Sequence, residues 1–90
     1  MTVADVINNI PGIIKDTDHC HSIALVNKDG LVEVYSNHMD GFDYTNSFEN
    51  ITLCEKHFDY KKDICILDNK YVIALKERFK DVKEIVYWQF

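Results

Sequence analysis

The stretch that decides the fold is HSIALVNKDGLVEVYSN, residues 21–37. Two runs, HSIALVN and LVEVYSN, flank Lys28-Asp29-Gly30. Ile23, Leu25, Leu31, Val32, Val34 and Tyr35 are mostly β-branched, aromatic or large apolar, the types that pack well on a pleated surface. Asp-Gly between such runs is a hairpin signal, because a tight turn needs a positive φ that glycine adopts without steric cost. The pattern predicts strands over 21–27 and 31–36.

Toward the N-terminus, Val3, Val6, Ile7 and Ile10 recur at helical spacing, with Ile14 extending the series. Thr2 suits an N-cap, and Asp5 falls in the first turn, where the helix dipole favours a carboxylate. Pro11 and Gly12 then interrupt. A helix over 2–10 follows, and its apolar stripe must be buried.

Toward the C-terminus the signals are weaker. NHMDGFDYTN is rich in turn formers and reads as an exposed loop. Phe48, Ile51, Cys54 and Phe58 recur at helical spacing, giving a helix over 47–57 capped by Ser47, although FENITLC also reads as a short strand. Ile64–Leu67 has strand length. Beyond it, either YVIAL pairs back on ICIL, or 69–81 is a helix with Val72, Leu75, Phe79 and Val82 inward. The reading that reconciles most residues is a strand over 71–75, a helical or turn segment over 76–81 and a strand over 84–89. The expected fold is α+β, in one domain over residues 1–90. An N-terminal helix packs on a mainly antiparallel sheet of four to five strands, with one additional short helix in the middle of the chain.

VINNIPGI followed by ALVNKDGLVEVYSN resembles the opening of roadblock/longin-type domains, a helix and then a hairpin with an Asp-Gly turn. That resemblance implies a regulatory scaffold, for which a dimer with a continuous sheet is diagnostic.

Composition narrows the function classes. Five Phe, five Tyr and one Trp are too many for a disordered chain. Ninety residues bury roughly 60–65% of their unfolded surface, enough for one core but not for a core and a deep cavity. There is no apolar run of membrane-spanning length and no secretory start, so a cytoplasmic location is expected, with three cysteines kept as thiols. Phe, Tyr, Met, Ile, Asn and Lys fill 38 positions, against 8 for Gly, Ala, Arg and Pro. This AT-rich coding bias points to a low-GC bacterium, its phage or another mobile element. Residues 1–60 carry a net charge of −7 and residues 61–90 a net of +2. That balance disfavours direct nucleic-acid binding, which needs clustered Lys and Arg, and favours a protein partner with a basic surface.

Three constellations bear chemistry. His19-Cys20-His21 and Cys54-x-x-His57 contain the ligand types of a tetrahedral zinc site, with Cys20, His21 (or His19), Cys54 and His57 as the candidate set. Against it, adjacent strand residues point to opposite faces, and buried cysteines with surface histidines explain the same residues. No metal or cofactor is therefore expected. Cys20 between two histidines is also a candidate nucleophile, whereas Cys65 in ICIL reads as core. Asp40 and Asp43 beside Asn37 and His38 offer oxygen ligands but lack calcium-loop spacing, and an Asx-rich turn accounts for them. Glycine-rich phosphate loops and nucleophile elbows are missing, so a non-enzymatic protein is expected.

What remains is binding. HMDGFDYTNSFEN interleaves acids with aromatics, and Asp40, Phe42, Asp43, Tyr44 and Glu49 form the expected partner-binding set. Phe42 and Phe48 can alternatively fold inward and anchor the loop. The C-terminal IVYWQF, if it lies at a sheet edge, invites homodimerisation. The reading that joins these features is a small acidic accessory protein. It would inhibit a host nucleic-acid-processing or defence protein, with carboxylates standing in for phosphates.

Overall fold

The computed structural model describes residues 1–17 and 20–89. Helix α1 (Val3–Asn8) begins where the capping residues place it. Thr2 Oγ1 accepts from the Asp5 amide at 3.1 Å, and the Asp5 carboxylate accepts from the Thr2 amide at 3.0 Å. Asn9 closes α1 earlier than the predicted 2–10, and Gly12, at φ 85, opens the one-turn helix α2 (Ile13–Asp16).

Strands β1 (His21–Asn27) and β2 (Val32–Asn37) form the predicted hairpin, in register from His21↔Asn37 to Val26↔Val32. The Asn27 side chain accepts from the amides of Asp29 and Leu31 at 2.9 and 3.0 Å, which fixes the turn. Next come β3 (Phe42–Phe48), α3 (Ile51–Phe58), a 3-10 turn (Lys61–Asp63), α4 (Asn69–Arg78) and β4 (Val82–Gln89). The antiparallel sheet has the order β3-β2-β1-β4. The α+β expectation therefore holds, with four strands.

Central strand β1 is buried at five consecutive positions, Ser22–Val26, because both faces of the sheet are covered. On one face Ile7, Ile10 and Ile13 from α1, its connection and α2, with Tyr71 and Leu75 from α4, pack on Ile23, Leu25, Tyr35, Phe42 and Tyr87. On the other, Cys54 of α3 and Tyr60 pack on Ala24, Val26, Val32, Val34 and Trp88. Trp88 stacks on Tyr60 with ring centroids 4.3 Å apart. None of the helices among the described residues is long and apolar enough to cross a membrane.

Four expectations are corrected. NHMDGFDYTN is not a loop throughout: β3 occupies its second half, paired with β2 from Asn37↔Phe42 to Val32↔Phe48. An edge strand with one solvent face needs few apolar residues, so its polar composition concealed it. Helix α3 is capped by Asn50, whose side chain accepts from the Leu53 amide at 2.9 Å, and not by Ser47, which lies in β3. Ile64–Leu67 is not a ladder strand. Ile64 makes an isolated bridge to Trp88, and the Cys65 amide donates to the Tyr87 carbonyl at 2.9 Å.

The strand predicted for 71–75 is the first half of α4. The Asp68 side chain caps it through the Lys70 amide at 3.0 Å, and Tyr71 and Leu75, four residues apart, both enter the core. The Tyr71 hydroxyl donates to the Asp16 carboxylate and ties α4 to α2. The strand preference of Tyr71, Val72 and Ile73 is a weak bias that these contacts outweigh.

Candidate functional site

Helices α1, α2 and α4 leave part of their face of the sheet uncovered beside β3. There the N-terminal turn of α1 and the β2–β3 hairpin enclose an open groove of about 710 Å³. Val3, Leu31, Tyr35 and Tyr44 supply its apolar and aromatic lining, and Glu33 and Glu49 its charge. Tyr44 and Leu31 are 52% and 51% exposed, large side chains left without cover. The lining contains no Lys or Arg. Residues 31–50, the whole hairpin, hold four carboxylates and no Lys or Arg.

Tyr35 and Tyr44 meet edge to face, with ring centroids 5.7 Å apart. The Tyr35 hydroxyl donates to Glu33 Oε2 at 3.0 Å. Burial, reinforced by that carboxylate, raises the Tyr35 phenol well above its ordinary value, so it remains a donor and holds Glu33 at the groove wall. Past Leu31 the groove runs into a second depression of about 330 Å³, where Arg78 and Lys80 stand. The acidic character is therefore local to the β2–β3 end.

The hairpin is positioned by a long-range contact. The Asn8 side chain of α1 donates to the Phe42 carbonyl at 3.0 Å and accepts from the Phe42 amide at 2.6 Å. One carboxamide thus does for Phe42 what a neighbouring strand would do. Gly41, at φ 121, makes this approach possible, since a Cβ there would lie 2.9 Å from Asn8 Oδ1.

Of the expected partner-binding residues, Tyr44 and Glu49 line the groove. Asp43 is exposed on β3 and Asp40 in the turn before it, and neither lines the groove. Phe42 is fully buried in the core and is an anchor of the hairpin, not part of its surface. Sequence reasoning missed Val3, Leu31, Glu33 and Tyr35 as lining residues. The period-two alternation of LVEVY, which brings Leu31, Glu33 and Tyr35 to one side, was the available signal.

The zinc candidates are not brought together. His21 stacks on Tyr87, at 5.0 Å between ring centroids, and Tyr87 belongs to the α1/α4 core, whereas Cys54 is buried in the core on the opposite face. Burial also pushes the Cys54 thiol up to about 11, away from the thiolate that zinc needs. The His57 ring lies against Phe48 and Phe58, 5.3 and 4.8 Å between centroids. Cys20 is exposed, at φ 72, and His19 lies outside the described residues. Asn37, considered as an oxygen ligand, is buried and donates to the Ile14 carbonyl and Thr17 Oγ1 at 2.9 and 3.1 Å. Among the described residues, no group of three or more His, Cys, Asp or Glu side chains is arranged to hold a metal ion.

Fold and site together define a small antiparallel α+β domain, helical on both faces, with an acidic–aromatic groove beside one edge strand. The helix and hairpin read from the sequence are present as α1, β1 and β2, with α2 between helix and hairpin. No family model matches the chain, and no curated protein or solved structure matches it.

Proposed function

We propose that this protein is a non-enzymatic protein-binding module that uses the acidic–aromatic groove to hold a basic segment of its partner. The observation that carries the reading is the composition of the groove. Exposed Leu31 and Tyr44 offer apolar and aromatic area, Glu33 and Glu49 offer charge, and the hairpin holds no cation to offset them. Aromatic side chains give contact area at low entropic cost, and carboxylates around them select a cationic partner. In its concrete form the module is an inhibitor from a phage or mobile element. Its hairpin carboxylates occupy the cationic surface by which a host nucleic-acid-processing or defence protein binds phosphates. Its setting is the cytoplasm, consistent with three free cysteines.

The test is titration with an eight-residue blocked peptide of alternating Lys and Thr, with the Glu–Thr counterpart as control. The Lys peptide is expected to bind, more weakly at high salt, and to lose about tenfold or more in affinity to the Glu33→Lys/Glu49→Lys variant. Equal binding of both peptides, or indifference to the double substitution, would show that the groove is not the docking surface.

A further inference from the structure

We infer that the partner segment docks as an added β-strand on the outer edge of β3, with alternate Lys or Arg side chains turned into the groove. This rests on the groove being the docking surface and adds the backbone geometry by which the segment is held.

That geometry follows from the ladder. The His38 amide donates to the Gly41 carbonyl at 3.3 Å, so this pair closes the β2–β3 hairpin. In an antiparallel ladder, bonded and unbonded pairs alternate. Asn37↔Phe42 and Tyr35↔Tyr44 are then unbonded pairs, and the backbone groups of Phe42 and Tyr44 point away from β2. Two contacts agree with this. The Cys20 amide donates to the Asn37 carbonyl at 3.2 Å, on the β1 side, and both outward groups of Phe42 are taken by Asn8. Tyr44, two residues on and before the irregularity at Val34/Tyr35, presents its N–H and C=O on the side that Asn8 fills for Phe42. Asn8 thus imitates a strand neighbour for one residue and stops, leaving the next outward pair without a partner among the described residues.

The side chains indicate the occupant. Successive residues of an added strand alternate between the two faces of the sheet, so every second side chain lies over the groove beside Tyr44 and within reach of Glu33 and Glu49. A cation there meets an exposed tyrosine ring and carboxylates together. A second copy of this chain is the poorer occupant, because edge-to-edge pairing of β3 would set two hairpins against each other, each with four carboxylates and no Lys or Arg.

Three measurements with the full chain test this. First, the alternating Lys–Thr peptide should slow amide exchange at Tyr44, while a peptide of the same composition with its lysines in adjacent pairs binds more weakly. Second, N-methylation of the central backbone amides of the peptide, which leaves every charge in place, should weaken binding about three- to tenfold. Third, Tyr44→Pro, which removes the outward N–H, should bind more weakly than Tyr44→Ala, which keeps it. The peptide measurements stand even if Tyr44→Pro does not fold.

Absence of peptide binding would overturn both this inference and the functional reading beneath it. Suppose the peptide binds and Glu33→Lys/Glu49→Lys weakens it, but N-methylation has no effect and Tyr44 exchange is unchanged. The groove is then the docking surface and strand addition is wrong. Sedimentation showing a dimer that protects the Tyr44 amide without peptide would make the occupant a second copy and overturn the proposal.

Discussion

The two edges of the sheet are treated differently. At β4 the chain covers its own edge: Cys65 donates to the Tyr87 carbonyl, Ile64 bridges Trp88, and exposed Lys83 and Glu84 put charge on the remainder. At β3, helix α1 lies alongside, and among the described residues its Asn8 side chain takes the outward backbone groups of Phe42 alone. An uncovered edge is a template for pairing, and proteins blunt edges with charge, irregular pairing or an overlying segment. β4 carries charge and an overlying segment, whereas β3 carries one carboxylate, Asp43, an irregularity and an adjoining open groove. Homodimerisation through the Tyr87–Trp88 end of β4 would have to displace residues 64–65, and β3 is the edge that we propose for a partner.

The contrast can be tested by damaging each edge. The largest effect is expected at β4, where Trp88→Ala removes a ring that is 1% exposed and stacked on Tyr60. It should cost about 3–5 kcal/mol in urea unfolding. On the β3 side, Gly41→Ala places a side chain at positive φ and against Asn8, with an expected loss of about 2–3 kcal/mol.

Asn8→Ala should cost about 1–2 kcal/mol, from the unpaired Phe42 backbone groups. Its mark is faster amide exchange at Phe42, with the β4 amides unchanged. Because the new Cβ of Gly41→Ala collides with the Asn8 side chain, the double variant should lose less than the sum of the two. Strict additivity would show that the two residues do not form one clasp.

The smallest effect is expected at high pH, beneath α3 on the β4 side. Burial raises Tyr60 to about 12 and Cys54 to about 11. Both groups are neutral acids favoured by folding. Their stabilisation is fully present below their unfolded values, near 10 and 9, and fades as pH rises through the folded values. The urea midpoint should therefore fall above about pH 9, and Cys54 should react with a thiol reagent far more slowly than exposed Cys20. A midpoint flat to pH 11 would mean that this core admits water.

Two of the six groove residues named above, Tyr44 and Glu49, are legible in the sequence. They belong to the interleaved acids and aromatics of residues 38–50, of which Asp40 and Asp43 lie away from the groove. Phe42 belonged to the same pattern but lies inside, because in β3 the backbone turns it toward α1 while Asp43 faces out. Val3 and Leu31 escaped notice because a groove is the space between elements, and neither residue is unusual in its own segment.

What the sequence determined alone is what short-range physics settles. Thr2 and Asp5 start α1 within three residues, and Asn27 with Asp-Gly turns β1 into β2 within four. Tertiary structure decided the rest. β3 is a strand because β2 supplies its ladder and Asn8, 34 residues earlier, holds its first residue. Residues 69–78 are helical because Tyr71 reaches Asp16, 55 residues away, while Leu75 fills the core beside it. Where the backbone's intrinsic preference is weak, the state adopted is the one whose side chains find partners, and those partners were distant in the chain.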